Sequence, residues 1–349
     1  MSDPGANAGK PAIAIPRVLW WFRLWPFWKA FFEGIGCRVV TNDPARPTPH
    51  RHERASTIVE EACFPIQLLI DRTLAIAAGA EAIFLPRLIS VDRRGIMCPR
   101  FSAVPDIVRM VLEDKAGCQP APLLSPVVDA RLGRRSVRDA YLAIAAQLGV
   151  SAAAARKALR HASEVQERFE KGFEIRLNTL PTPEVFEDSK EVTPGESPER
   201  GPSDCLRVAL LGHPYIAYDW EFNLDIVGKL RSLGLWVVPG ESLDRKKTET
   251  SVRRLDKNVY WTSGREALGA ALSSFENGGV EGVIYLSCFK CGVDGLLGDV
   301  VRWAARHQSR VAYLALTLDG HDNEMGLATR LEAFADIVRR RASRPPESC

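Results

Sequence analysis

The sequence predicts an α/β chain: two doubly wound parallel-sheet domains facing across a cleft, with a helical insert. Three observations carry that prediction. Short, continuous apolar runs recur between segments of helical periodicity, the pattern of parallel sheets covered on both faces. The stretch 178–204, NTLPTPEVFEDSKEVTPGESPERGPSD, has five prolines, many acids and few apolar residues, so it reads as an exposed linker between two such patterns. At 349 residues the chain is long enough for two domains of ordinary size, each with its own core.

Before the linker, 11–16 (PAIAIP) reads as a first strand and 27–34 as a helix ending in glycine. A second strand is expected at 38–41 (RVVT). Residues 63–79 have helical apolar spacing and a glycine stop. The runs 82–87 (AIFLPR) and 123–128 (LLSPVV) read as the third and fourth strands. From 137 to 177 alanine and charge dominate with helical period, predicting a helical pair joined near 148–151. After the linker come strands at 206–211 (LRVALL), 236–239, 282–287 (GVIYLS) and 311–318 (VAYLALTL). Helices are expected at 220–234, 263–278, 298–307 and 326–340. The expected organisation is a disordered leader at 1–10, a first α/β domain at 11–136 and the insert at 137–177. The acidic linker at 178–204, a second α/β domain at 205–341 and a tail at 342–349 follow. Both domains are of the Rossmann/flavodoxin-like kind.

Composition narrows the partners. The formal net charge of +3 is small for this length and makes no electrostatic case for nucleic acid or an anionic membrane. Basic runs such as 131–138 (RLGRRSVR) read as solvated helix ends. The most membrane-like stretch, 18–32 (VLWWFRLWPFWKAFF), contains Arg23, Pro26 and Lys29 and is shorter than the ~20 apolar residues a span needs. The leader MSDPGANAGK lacks the basic and apolar regions of a secretory signal. These features predict a cytoplasmic protein, whose eight cysteines are then reduced thiols or metal ligands.

In open parallel sheets, ligands bind beyond the carboxyl ends of the strands, where loops lead into helices. Four thiols fall at such predicted junctions: Cys63 in EACFP, Cys98 in IMCPRF, and Cys288 with Cys291 in YLSCFKCGVDG. Cys37 and Cys205 flank strands, Cys118 sits in a proline-rich loop and Cys349 is the last residue. A helix N-terminus supplies unpaired N–H groups and partial positive charge, which favour thiolate, the form that binds iron or zinc. Gly292 and Gly295 would let backbone approach a metal group. Spacing alone leaves four uses open. Zinc sites commonly have two closely spaced pairs, whereas Cys63 and Cys98 are isolated. A CxxC pair can exchange thiols, given an exposed first cysteine. Iron–sulfur clusters take ligands from distant loops. A buried cysteine can also simply pack as a small apolar residue. His213 in GHPY and His321 in DGHD both follow predicted strands; His50 and His52 sit in a basic segment and read as exposed. No GxxxxGK[ST], GxGxxG or GxSxG motif is present.

Several segments, in order, carry a family resemblance. They are IPR at 15–17 with PFW at 26–28 and the phenylalanines 31 and 32, then EACFP at 61–65, FLPR at 84–87, CPRF at 98–101 and PDIVR at 105–109. In the second half come GHPY at 212–215 with YD at 218–219, WTSGRE at 261–266, SCFKCG at 287–292 and TRLEAF at 329–334. The chain resembles the acyl-CoA dehydratase activase-related proteins, or CoA protein activases, kin to the 2-hydroxyacyl-CoA dehydratase iron–sulfur subunits. The resemblance implies a [4Fe-4S]-type cluster on Cys63, Cys98 and Cys291. Cys288 stands where the family pattern has serine, so it is a fourth ligand, a local substitution or a spare thiol. Relatives can leave one iron open, so three thiols suffice. A larger cluster shared across a dimer would use the same ligand types.

The fused actin-like ATPase domain of larger relatives has no counterpart motif here. An ATP-dependent activator or electron-donor protein is therefore expected as a separate chain. Gly320 occupies a position where the pattern has an acidic residue, which weakens a proton-transfer role for that loop.

The leading expectation is an iron–sulfur redox protein of the 2-hydroxyacyl-CoA dehydratase/activase-related class, with its cluster in the interdomain cleft for low-potential electron transfer. A small-molecule or acyl-CoA substrate would sit over the cluster's open edge, with His213 and His321 as proton donors. Arg87 and Arg100 would anchor an anion or form structural salt bridges. Whether the chain is itself an enzyme is left open. The alternatives are a non-catalytic scaffold that docks a partner, through core-like segment 20–32 if at all, and thiol–disulfide exchange by Cys288 and Cys291.

Overall fold

Every strand pairing among the described residues is parallel. The computed structural model describes residues 10–44, 62–115, 121–186, 205–308, 311–319 and 323–343. It divides into two units, Met1–Phe169 and Glu170–Cys349.

The first unit has strands β1 (Ala12–Ala14), β2 (Arg38–Val40), β3 (Ala82–Phe84), β4 (Arg87–Ser90), β5 (Leu123–Leu124) and β6 (Val127–Asp129). They form a sheet of order β2-β1-β3-β5 and a separate pair, β4-β6. Its helices are α1 (Trp21–Gly34), α2 (Phe64–Ala77), α3 (Pro99–Lys115), α4 (Arg134–Gln147) and α5 (Ala152–Thr179), the last running past the unit boundary. The second unit has β7 (Leu206–Leu211), β8 (Leu235–Pro239), β9 (Gly282–Cys288) and β10 (Ala312–Leu318), in the order β10-β9-β7-β8. Its helices are α6 (Pro214–Ala217), α7 (Ile226–Ser232), α8 (Arg245–Arg253), α9 (Thr262–Asn277), α10 (Gly292–Gln308) and α11 (Glu324–Ala342).

The two sheets share one order: within each, the first strand lies between the second and the third. That is the start of the flavodoxin-like order, whose ligand crevice opens where the chain switches direction between the first and third strands. In the first unit this point, between β1 and β3, is closed by apolar side chains. The cavity lined by Pro16, Trp20, Trp28, Phe84, Pro86 and Phe101 measures about 30 Å³, room for no more than a water or two. In the second unit the corresponding point lies between β7 and β9, which pair from Val208 opposite Gly282 to Leu211 opposite Tyr285.

The structure corrects several sequence expectations. Strands at 82–87 and 123–128 are each split in two. Arg87 N–H still donates to the Pro126 carbonyl at 2.9 Å, but Pro126 has no N–H with which to continue the ladder. Helix α1 begins at Trp21, not at residue 27. The helix expected at 220–234 shrinks to α7, because Leu224 and Asp225 adopt left-handed backbone conformations just before it. Helices α3 and α8 were not anticipated; α3 opens on Pro99, a residue well suited to a first helical turn. Helix α10 starts at Gly292, six residues before the expected 298. The alanine-rich pair appears as α4 and α5, with a turn at Gly149 of positive φ. No helix among the described residues is long and apolar enough to cross a membrane.

The tryptophan-rich segment is core. Trp20, Trp21, Phe22, Trp25, Trp28, Phe31 and Phe32 are all buried. Trp28 and Phe32 pack edge-on against Phe84, and Trp28 Nε1–H donates to the Tyr141 hydroxyl at 3.0 Å. This packing removes the segment from consideration as a docking surface.

Candidate metal centre

Three of the cysteines singled out in the sequence hold equivalent places in their own units, each just before a helix. Cys63 immediately precedes α2, Cys98 precedes α3 and Cys291 precedes α10. The backbone carbonyl of each accepts a first-turn hydrogen bond: from Ile66 N–H at 2.9 Å, Phe101 N–H at 2.8 Å and Gly295 N–H at 3.1 Å. Each residue therefore caps a helix N-terminus, the end of a helix that favours an anionic group. All three are half-buried. Pro65 and Pro99 in the first turns of α2 and α3 fix the chain direction there.

At the β7–β9 switch point, within the second unit, three side chains converge. Gly212 leaves β7 with φ +153°, and His213 follows as the cap of the short helix α6. Lys290, left-handed at φ 67°, turns the chain between β9 and α10, with Cys291 N–H donating to the Cys288 carbonyl at 3.1 Å. Asp294 lies in the first turn of α10. His213 Nε2 stands 2.9 Å from Asp294 Oδ1, with both side chains buried. Ligand atoms of His213, Asp294 and Cys291 all lie within 4.8 Å of one another. Asp294 Oδ2 accepts from the Cys288 N–H at 3.2 Å. The His213 ring stacks on Tyr215, with centroids 5.0 Å apart and planes within 5°.

Electrostatics follow from this burial. Desolvation alone would push the His213 pKa down; the Asp294 carboxylate, with Cys291 adding to it, outweighs that and raises it to about 10. Tyr285, on β9, is pushed well above the ordinary phenol range by burial, with Asp294, Tyr313 and Cys291 contributing. Its hydroxyl is buried and has no hydrogen-bond partner among the described residues.

The other predicted residues fall elsewhere. Cys288 ends β9 as a buried side chain whose thiol points to the Phe289 carbonyl at 3.2 Å, and it is not among the converging three. As the first cysteine of the CxxC it lacks the exposure that thiol exchange requires. Arg87 forms a bidentate fork with Asp106 at 2.8 and 2.9 Å and also bonds the Ser102 carbonyl, the structural salt bridge that was its alternative to anion anchoring. Hydrogen bonding to Arg87 in turn holds the Asp106 carboxyl below its ordinary value. Arg100 is half-buried in the first turn of α3. His321, like His50 and His52, lies outside the described residues. An open cavity of about 510 Å³ in the first unit, against Arg109, Ser125, Ser136 and Gln147, is lined by none of the thiols.

Asp294 is not among the residues the sequence singles out, because helical periodicity there predicts a start at 298 and the helix begins at Gly292. A signal was present: Cys291 and Asp294 have the spacing of a capping box, in which an acid three residues after the cap reaches back to backbone N–H groups.

Comparison with known families is decisive for kinship. The family described as the CoA enzyme activase uncharacterised domain matches residues 12–243, about two-thirds of the chain. The chain belongs to this family. The match takes in Cys63, Cys98 and His213, while Cys288, Cys291 and Asp294 lie beyond its end. No curated protein matches the chain in sequence. Membership in the CoA enzyme activase uncharacterised domain family thus rests on the first unit and the opening strands of the second.

Proposed function

We propose that this protein is a component in the activation of a CoA-linked enzyme and carries an iron–sulfur cluster on Cys63, Cys98 and Cys291. The observation that supports this most is that all three thiols stand at the same kind of place, just before a helix. Each is half-buried and placed at a helix N-terminus, where backbone N–H groups are available to an anionic ligand set. The surroundings of Cys291 fit such a group, because Gly292 and Gly295 leave open space where a Cβ would stand. The cluster, when bound, supplies low-potential one-electron transfer. The chain's own residues hold it, set its hydrogen bonding and limit water around it. Phe289 and Leu296 leave large apolar side chains exposed on either side of Cys291, a surface suited to a protein partner. ATP-dependent activation would then come from a separate chain, and the recipient would be the CoA-dependent enzyme.

The test is anaerobic purification with iron and acid-labile sulfide determination, visible and EPR spectra, and Cys63→Ser, Cys98→Ser and Cys291→Ser variants. Near-stoichiometric iron and sulfide, lost in each variant, is the expected result. A colourless, folded protein that takes up neither on reconstitution would remove the cluster and leave a partner-docking scaffold.

A further inference from the structure

We infer that His213, Cys291 and Asp294 form a transition-metal site contained entirely within the second unit. The inference deepens the proposal above at one corner, by naming the residues beside Cys291, but it does not depend on Cys63 or Cys98. Three donors of different kinds, an imidazole nitrogen, a thiol sulfur and a carboxylate oxygen, lie within 4.8 Å of one another. Their residues come from two loops that meet because β7 and β9 are neighbours. His213 is 7% exposed, and its Nε2 is already set against the Asp294 carboxylate with the Cys291 thiol beside them, so the three groups are held in position. The 2.9 Å approach of Nε2 to Oδ1 puts an imidazole and a carboxylate against the same space, as an ion pair that a bound cation would replace.

Asp294 is held in that orientation from outside the group, since its second oxygen accepts the Cys288 N–H. Ligating carboxylates are commonly fixed in this way. The ring is fixed by stacking on Tyr215. Mixed nitrogen, sulfur and oxygen donors select a borderline divalent ion such as zinc, ferrous iron or cobalt over magnesium or calcium. Three protein ligands leave one tetrahedral position for an outside ligand, the arrangement of reactive rather than structural sites. Cys291 binds as thiolate and releases its proton on binding. Cys288 has no part in the set; it supplies a backbone N–H and fills core.

Cobalt(II) titration of the metal-free, full-length protein without oxygen tests this through the thiolate-to-cobalt charge-transfer absorption. One cobalt per chain is expected, with the band abolished in Cys291→Ser and affinity lowered about 10-fold or more in His213→Gln. His213→Cys keeps a ligand in place and should restore tight binding with a stronger thiolate band. That restoration separates ligand loss from misfolding. A Cys63→Ser/Cys98→Ser double variant should bind cobalt as the unaltered protein does. Binding indifferent to both Cys291→Ser and His213→Gln would overturn the inference, as would a band that needs Cys63 and Cys98 instead. Iron and sulfide analysis keeps the two ideas apart: a cobalt site of this composition in a protein that carries no sulfide refutes the cluster and leaves this site standing.

Discussion

Gly212 carries a φ of +153°, and a Cβ there would stand 2.7 Å from the Leu286 carbonyl oxygen. The residue lets β7 approach β9 closely enough for His213 to turn into the switch point. Gly212→Ala must move one backbone or the other. We expect it to destabilise the second unit by about 1–3 kcal/mol and to weaken cobalt binding, read by urea denaturation and by the charge-transfer band. Unchanged midpoint and affinity would show that the close approach is dispensable. At this scale the sequence was partly legible. Cys291 was recognisable because a thiol stood between an apolar run and a helix. Asp294 was not, because its role depends on which residue faces it across the sheet.

Helix α1 illustrates how an element can defy its own sequence. Pro26 lacks an N–H and its ring crowds the carbonyl four residues back, so a helix read from sequence starts after it. In the structure the helix runs through Pro26, which stands in its first half. The broken turn is repaired from outside by Gln166 of α5: its Oε1 accepts from the Phe27 N–H at 3.2 Å and its Nε2 donates to the Arg23 carbonyl at 2.8 Å. One amide side chain thus stands in for the missing step between residues 27 and 23. Replacing it by leucine leaves two backbone groups without their partner, at a cost of about 1–3 kcal/mol. Pro26→Ala should offset part of that loss by letting the helix close its own bonds, so a double-mutant cycle in chemical denaturation should show strong coupling. Additive effects would rule out the repair. No periodicity in either helix announces this pairing, because it joins side chain to backbone far along the chain.

For the whole molecule, the three donors of the proposed site belong to one unit, and this localises the effect of a metal. A ligand that binds only the folded state stabilises it by about 2.7 kcal/mol at 100 times its Kd. Calorimetry of the full chain with cobalt should raise the unfolding temperature of the second unit and leave that of the first unmoved. Cys63→Ser/Cys98→Ser should not alter that response. A shift of both transitions together would instead mean that the metal is bound by residues of both units, as the cluster requires. The experiment therefore weighs the two metal readings within one protein.

Local chemistry determined much of this protein. Continuous apolar runs and helical periods specified two parallel α/β units, and glycine, proline and cysteine at strand–helix junctions marked where ligands could gather. These features depend on residues near one another in the chain, so they can be read along it. Tertiary structure alone decided that the first unit's switch point is filled with aromatic side chains and that the second's holds His213, Cys291 and Asp294. It also decided that Cys288 is core and that Arg87 is committed to Asp106. Such outcomes depend on which strands become neighbours and which side chains face inward, and the favourable energy of that choice comes from burial shared across the whole unit rather than from any one segment.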